Sequence, residues 1–270
     1  MEGVSRGSWA AAVETLEKVL PGVEARTLAG EIFAVGEAVD ADSQLRRALA
    51  DPSHDAGPKR ALAERLFTSR VSPETLTVIL TVVSGRWSHD RDMVDAFERL
   101  GINAVLAAAE KDGVLDQVEN ELFRFERLVA DDHELGTAIG RREVEPALRA
   151  KLVVDLLAGK ALPDTVWLAQ RPVLHARGRK YSAAIWRQLK IAAWRRQQIT
   201  AIVTSAVELD QAQRDRLAAA LSSDYGRSVF ITTQVDPSVL GGLKVQIGDD
   251  VIDGTVARRL EDVRRTIGAG

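Results

Sequence analysis

Cysteine is absent from the 270 residues, which removes disulfides and every cysteine-based zinc or redox centre from consideration. Neither sign of charge dominates. Thirty-six Lys and Arg stand against 39 Asp and Glu, a net charge of −3, so no global basic excess points to nucleic acid. The longest uncharged apolar run, Thr75 to Gly85, falls far short of the roughly 20 residues that span a bilayer. The first residues lack the basic start and apolar core of a secretion signal. The expected compartment is therefore the cytoplasm, with any membrane association made through a partner and no direct insertion. Phosphate loops of the G-x-x-x-x-G-K-[ST] kind and dinucleotide fingerprints are missing as well. His54, His89, His133 and His175 are too dispersed to chelate a metal. Gly3-Val4-Ser5-Arg6-Gly7 matches a nucleophile elbow in form only, since that motif needs a preceding strand. No catalytic residue, cofactor site or metal site is expected, and the protein is read as a non-enzyme.

What is present is an ordinary globular composition, 46% hydrophobic and 28% charged, with room for two or three small domains. Most of the chain has helical periodicity. Trp9, Val13, Leu16 and Leu20 recur at helical spacing before Pro21-Gly22, and Leu28, Ile32, Val35 and Val39 mark a second helix. Ser72-Pro73-Glu74 is a helix start, with serine placed to cap and proline at the first helical position. The helix it opens is apolar nearly all round and belongs in the middle of a bundle. A longer helix runs from about Asp90 to Asp112-Gly113.

The helical part repeats. At a fixed offset Phe33 meets Phe123, Leu45 meets Leu135, Leu62 meets Leu152 and Leu66 meets Leu156. Pro73-Glu74-Thr75 meets Pro163-Asp164-Thr165 in the same register. Phased amphipathic helices would explain scattered apolar matches but not a shared proline signature among them, so self-similarity organises the chain. The repeat predicts two helical-bundle copies, 1–105 and 106–197.

From 198 to 270 the period changes. Ile199 to Val207 is a predicted strand, and Asp210 with Gln213 forms a capping box for a helix. Val229, Ile231, Thr233 and Val235, then Leu243, Val245 and Ile247, alternate as half-buried strands do. Asp236-Pro237-Ser238 is a turn, Val251-Ile252 a short edge strand, and Thr255 begins a last helix through Leu260, Val263 and Ile267. Gly241-Gly242 has no helix N-terminus beside it and is taken as a turn or close approach. The fold class is mainly α: two repeated helical-bundle domains, then a small α+β domain.

Between Arg171 and Arg196 lie eight Lys or Arg and no acid, with Tyr181, Trp186 and Trp194 interleaved. On a helix, Tyr181, Ile185, Leu189 and Ala192 would face inward, while Trp186, Lys190 and Trp194 share another face. Such a segment could bind single-stranded nucleic acid through charge and stacking. It could receive an acidic partner helix, with Trp and Arg as anchors. It could also pack its indoles inside the bundle and let the charges reach water, which average core behaviour favours.

Thr204-Ser205-Ala206-Val207-Glu208-Leu209, then Val235-Asp236-Pro237-Ser238-Val239-Leu240-Gly241-Gly242-Leu243-Lys244-Val245-Gln246-Ile247-Gly248 and Val251-Ile252-Asp253-Gly254-Thr255 resemble the delta subunits of F-type ATP synthase. The mitochondrial relative is the oligomycin-sensitivity-conferral protein. Residues from about Ala104 to Trp194 are similar to that family's helical domain. The resemblance implies a non-catalytic stator subunit in proton-driven ATP synthesis, without cofactor. It would hold N-terminal segments of alpha subunits with its helices and join the peripheral stalk's b subunit through its C-terminal domain. It would lie peripherally on the cytoplasmic face of the plasma membrane and bind neither nucleic acid nor a second copy of itself. Asp236, Leu240, Gly241, Gly242, Asp253 and Gly254 are the motif positions. Carrying the helical domain twice departs from the family's usual form and leaves open which copy grips alpha; connectivity to the tail favours the second. Leu76, Leu80 and Val83, with Trp186, Lys190 and Trp194, are the expected partner-binding residues. The alternative is a helical nucleic-acid-binding protein using Arg171–Arg196.

Overall fold

The computed structural model describes residues 4–52, 55–196, 198–225, 228–239, 241–247 and 250–254. The chain divides into two compact units, Met1–Arg195 and Arg196–Gly270.

The first unit begins with α1 (Val4–Val19) and a 3-10 turn at Leu20–Gly22. Then come α2 (Ala25–Ala41), α3 (Ser43–Ala50), α4 (Ala56–Phe67) and α5 (Pro73–Ser84). After α6 (Asp90–Lys111) follow α7 (Leu115–Asp131), α8 (His133–Gly140), α9 (Pro146–Leu157), α10 (Pro163–Leu174) and α11 (Tyr181–Arg196). The starts are chemically specified. Glu24, Asp42, Ser72 and Asp132 each accept a bond from an otherwise orphaned N–H in the first turn of α2, α3, α5 and α8.

Helices α2 to α5 and α7 to α10 have the same bounds, ninety residues apart at both ends. At the same offset α1 falls inside α6, so α6 stands where a last helix of the first set and a first helix of the second would be. Side-chain chemistry repeats too. The Glu31 carboxylate accepts from Ser72 N, Ser72 Oγ and Thr75 Oγ1. Glu121 accepts from Leu162 N at 2.9 Å and Thr165 Oγ1 at 2.6 Å. Each ties α2 or α7 to the start of the helix packed beside it. Lys59 and Arg149 are both buried and donate to backbone carbonyls, of Gly85 and Ile139.

The division expected at 105/106 falls within α6, and buried residues from both sets form one continuous core. Long α6 makes this so. Fourteen of its residues are buried, because α2 and α5 pack on it as well as α7 and α10. Contact of α2 with α6 is close. A Cβ at Gly36 would lie 2.8 Å from Phe97 Cβ, and one at Gly101 would overlap the Phe33 ring.

The second unit holds β1 (Gln198–Ser205), α12 (Gln211–Tyr225), β2 (Ser228–Val235), β3 (Leu243–Ile247) and β4 (Asp250–Asp253). Sheet order is β2-β1-β3-β4, with β1 parallel to β2 and the other pairs antiparallel. β2 and β3 are thus consecutive but not adjacent. Ala201, Val203, Val245 and Ile247 turn one face to Leu221 of α12 in a core of their own. Asp210 and Gln213 exchange the two bonds of a capping box. The helix expected from Thr255 lies outside the described residues.

Gly101→Ala and Gly36→Ala should each destabilise the first unit by about 1–3 kcal/mol through overpacking. Gly7→Ala, on an open face of α1, should instead stabilise it by about 0.5–1 kcal/mol. Urea denaturation of the three variants reads both signs.

Burial alone would raise the Glu31 pKa, but the bonds from Thr75 and Ser72 outweigh it and hold the carboxyl below its ordinary value of 4.5. Its stabilising contribution is therefore complete above that value and lost as pH falls through the lower folded one. Glu31→Gln should weaken the fold at pH 7 by about 1–2 kcal/mol and flatten the stability curve between about pH 5 and 3. Parallel pH-stability curves for variant and parent would contradict this.

Candidate partner-binding surfaces

Leu80 and Val83, expected to line a partner groove, are 8% and 0% exposed, and Leu76 is half-buried. They are spent on the chain's own core, where α5 packs on α1, α2, α4 and α6. A helix apolar all round has no apolar face left for a partner once it sits centrally. The side that α5 does present carries exposed Thr77 and half-buried Glu74 and Thr81, beside Ser8, Ala11 and Thr15 of α1. Thr15 Oγ1 donates to Thr81 Oγ1 at 3.3 Å, and Ser8 Oγ to Arg86 O at 2.6 Å. It is a shallow face of small side chains.

The same face in the second set is built differently. Ninety residues on from Glu74, Thr77 and Thr81 stand Asp164, Trp167 and Arg171 of α10; Ser8 and Ala11 correspond to Glu98 and Gly101 of α6. Helix α2 lies across them. Arg26 donates through Nε and Nη2 to both oxygens of Asp164 at 2.8 Å and through Nη2 to Asp112 at 2.6 Å. Phe33 meets Trp167 edge-on at 5.6 Å. The Arg171 guanidinium lies 3.7 Å over the Phe33 ring. It is 5% exposed and donates to Glu37 and Glu98, each at 2.7 Å.

Arg171 is one of several basic residues of 171–196 used in this way. Arg177 pairs with Asp40 at 3.1 Å, Arg179 and Arg187 pair with Asp95, and Arg195 pairs with Glu17 at 2.8 Å and Glu110 at 2.6 Å. Five of the eight cations are thus neutralised by carboxylates of α1, α2 and α6. Sequence reasoning missed this because the acids lie 73 to 178 residues away along the chain. His175 sits in the same network, its Nε2 3.0 Å from Glu37. Burial and the neighbouring Arg171 nonetheless push its pKa below 6.5.

Trp186, Lys190 and Trp194 do share one face of α11. Trp186 is 45% exposed, with Phe123 edge-on at 5.9 Å and itself 41% exposed. Trp194 is half-buried and Lys190 exposed. Ile185, Leu189 and Ala192 face inward as periodicity requires, and Tyr181 donates to Ala169 O at 2.9 Å. Between α1, α6 and α11 a cavity of about 520 Å³ opens beside Lys190 and Trp194, with Trp9 and Arg99 among its other walls.

In the second unit the motif residues shape a turn. Asp236 accepts from Ser238 N at 2.9 Å and Ser238 Oγ at 2.6 Å, which hold its pKa below the ordinary carboxylate value. Its own N–H donates to Ser205 O. Gly241 and Gly242 have φ of 65° and 84°, the left-handed region where a side chain is strained. Gly254 N donates to Leu243 O, and a Cβ there would lie 3.1 Å from that oxygen. Asp253 stands opposite Lys244 in the β3–β4 register. Leu240 lies outside the described residues. A hollow of about 530 Å³, lined by Val207, Leu209, Leu217 and the two glycines, adjoins the turn. Val207 is 70% exposed there.

Ser5, from the formal elbow motif, is buried on α1 and donates to Asp92 at 2.8 Å. Its role is to fasten α1 to the start of α6, through Asp92 and the Ser88 N–H. Gly3 lies outside the described residues.

A family model described as ATP synthase delta (OSCP) subunit matches residues 103–267. A Kineococcus radiotolerans protein called ATP synthase subunit delta is 42% identical over 98% of this chain and 97% of its own. One of the same name from Streptomyces avermitilis is 44% identical over 97% of both chains. Another, from Thermobifida fusca, is 38% identical over 99% of both. Among solved structures, a chain of the Toxoplasma gondii mitochondrial ATP synthase hexamer matches 63% of this chain and 96% of its own, with 16% identity and a TM-score of 0.29.

Arg171→Ala should destabilise the helical unit by about 2–3 kcal/mol, since it removes the cation that Glu37 and Glu98 share and leaves them only His175 and the more distant Arg177. Arg171→Met, which keeps the stem on Phe33, should lose less. Calorimetry of both variants gives the order, and equal melting temperatures would refute the role assigned to the charge.

Proposed function

The chain belongs to the ATP synthase delta (OSCP) subunit family, and from that premise we propose the contacts through which it works. Its role is that of a stator subunit without catalysis of its own. A rotary motor makes ATP only if its head is kept from turning with the rotor, so a stator joint must resist torque through buried contacts alone. Such a subunit is peripheral; among the described residues no helix is long and apolar enough to cross a membrane.

The finer reading is that Met1–Arg195 holds N-terminal segments of the alpha subunits and Arg196–Gly270 holds the b subunit, on the cytoplasmic face of the plasma membrane. The helical unit is taken as two duplicated copies, divided near 105, that share α6. We assign the alpha contact to the first copy, against the expectation from connectivity. One observation carries this. In the second copy the α6–α10 face is already occupied by α2, whereas the equivalent α1–α5 face has Ala11 and Thr77 exposed. If the copies are equivalent, the open face takes what the filled face holds, an amphipathic helix. The small side chains there let a partner helix approach as closely as α2 approaches α6. For the b subunit, the apolar hollow beside Val207 and Gly241-Gly242 offers a seat of suitable size.

The test is binding of full-length protein to the catalytic head, with Thr77→Trp/Thr81→Arg introducing the side chains of the filled copy. Affinity for the head should fall at least tenfold, about 1.4 kcal/mol, while binding to the b subunit is unchanged. Removing 198–270 should do the reverse. Unaltered head affinity in the double variant, or full stalk affinity in the truncated protein, would overturn the assignment.

A further inference from the structure

Arg99 on α6 has no counterpart in the stator contacts described so far. Among the described residues it makes no ion pair, although Asp95 lies close enough to favour its charge. Arg46, Arg171, Arg177, Arg179 and Arg195 all bond carboxylates on neighbouring helices. Arg99 lies 4.0 Å over the Trp9 ring. Among the described residues no carbonyl or carboxylate accepts a hydrogen bond from it. Burial, with Arg187 nearby, pushes its pKa down to about 10, so it is a charged group held in poor solvation. Leaving such a charge unpaired is unfavourable. Its guanidinium opens onto the cavity between α1, α6 and α11.

The cavity is built for one negative charge beside apolar surface. Its volume, about 520 Å³, is within the range of binding pockets. Indoles of Trp9 and Trp194 form walls, and Lys190 adds a second cation at the rim, with no ion pair among the described residues. Asp92 and Asp95 line it as well. Asp95 is neutralised by Arg177, Arg179 and Arg187, and Asp92 accepts from Ser5. With those acids already engaged, Arg99 offers a planar fork that suits a carboxylate. Outside the cavity, Trp186 stands on the same face of α11 four residues before Lys190, exposed beside Phe123. Eight residues of helix span about 12 Å, the length of two turns of a partner helix. Large aromatics and arginine are also the residues that anchor interfaces.

We propose that this cavity and the Trp186–Lys190–Trp194 strip form a second docking surface, for an acidic amphipathic helix of another ATP synthase subunit that seats a carboxylate on Arg99. It rests on the stator reading but uses a face distinct from α1–α5. Apolar side chains next to that carboxylate would pack against Trp194 and Trp186. Lys190 would steer the approach from the rim.

The probe is ATP synthase stripped of this subunit, titrated with full-length protein, with a 20-nucleotide single strand titrated separately. Arg99→Met and, as an exposed rim variant that leaves the core untouched, Lys190→Glu should each weaken rebinding to the stripped synthase at least fivefold. Trp fluorescence should change on rebinding in the parent and much less in Arg99→Met. Lys190→Glu should melt with the parent, which separates docking from folding. Unchanged rebinding by Lys190→Glu and Arg99→Met overturns the proposal. Loss of oligonucleotide binding in those variants, with synthase rebinding intact, overturns it in favour of a nucleic-acid surface. If Thr77→Trp/Thr81→Arg weakens rebinding while these two do not, the second surface fails and the α1–α5 assignment stands.

Discussion

Helix α6 must satisfy two sets of neighbours, and that constraint shapes the whole helical unit. On one side α2 runs along it at a separation only Gly36 and Gly101 permit, with Phe97 and Phe33 filling the gaps across from them. On the other side α7 and α10 use the same helix. A helix wanted by both sets cannot be amphipathic in the ordinary sense. It carries fourteen buried positions, and its charges are confined to the flanks. There Asp95, Glu98 and Glu110 meet arginines from α10, the segment after it, and α11.

The junction therefore combines a close-packed seam with ion pairs of low exposure. Area burial supplies most of the stability, as in any packed interior. The pairs add specificity of a kind that packing does not. Arg26, Arg171 and Arg195 each bind two separate acids, so a helix shifted by one turn would leave several charges without partners. Such a joint suits a part whose work is to hold its geometry under load. In the first unit both sets share one core. The second unit needs none of this. Its sheet and one described helix enclose a separate core, and its motif glycines serve backbone turns.

Much of the fold was legible because it is local. Ser72-Pro73 and the Asp210–Gln213 pair signal helix starts within four residues, and both act as caps. Alternation in 243–247 and 201–203 was enough to orient the sheet faces. The ninety-residue repeat could be read from a proline signature and emerged in helix bounds. Partner surfaces were less legible. Leu80 and Val83 looked available because an apolar stripe does not say whether its cover is the chain itself or another protein. The basic run of 171–196 looked like a surface because its acids lie on α1, α2 and α6. Trp186, Lys190 and Trp194 were rightly grouped on a face, since helical spacing alone decides that.

The amino-acid sequence by itself determined the helices, their repeat, the sheet, and through its terminal motif the family. Those depend on dihedral preference, capping and periodicity, which act over a few residues. Only the tertiary structure decided that α6 serves both sets, that α2 fills a face of the second while its equivalent in the first is left open, and that Arg99 faces a cavity with no ion pair among the described residues. Each of these depends on which groups from distant segments arrive at one place. Burial and charge pairing are properties of that arrival, and no local pattern encodes them.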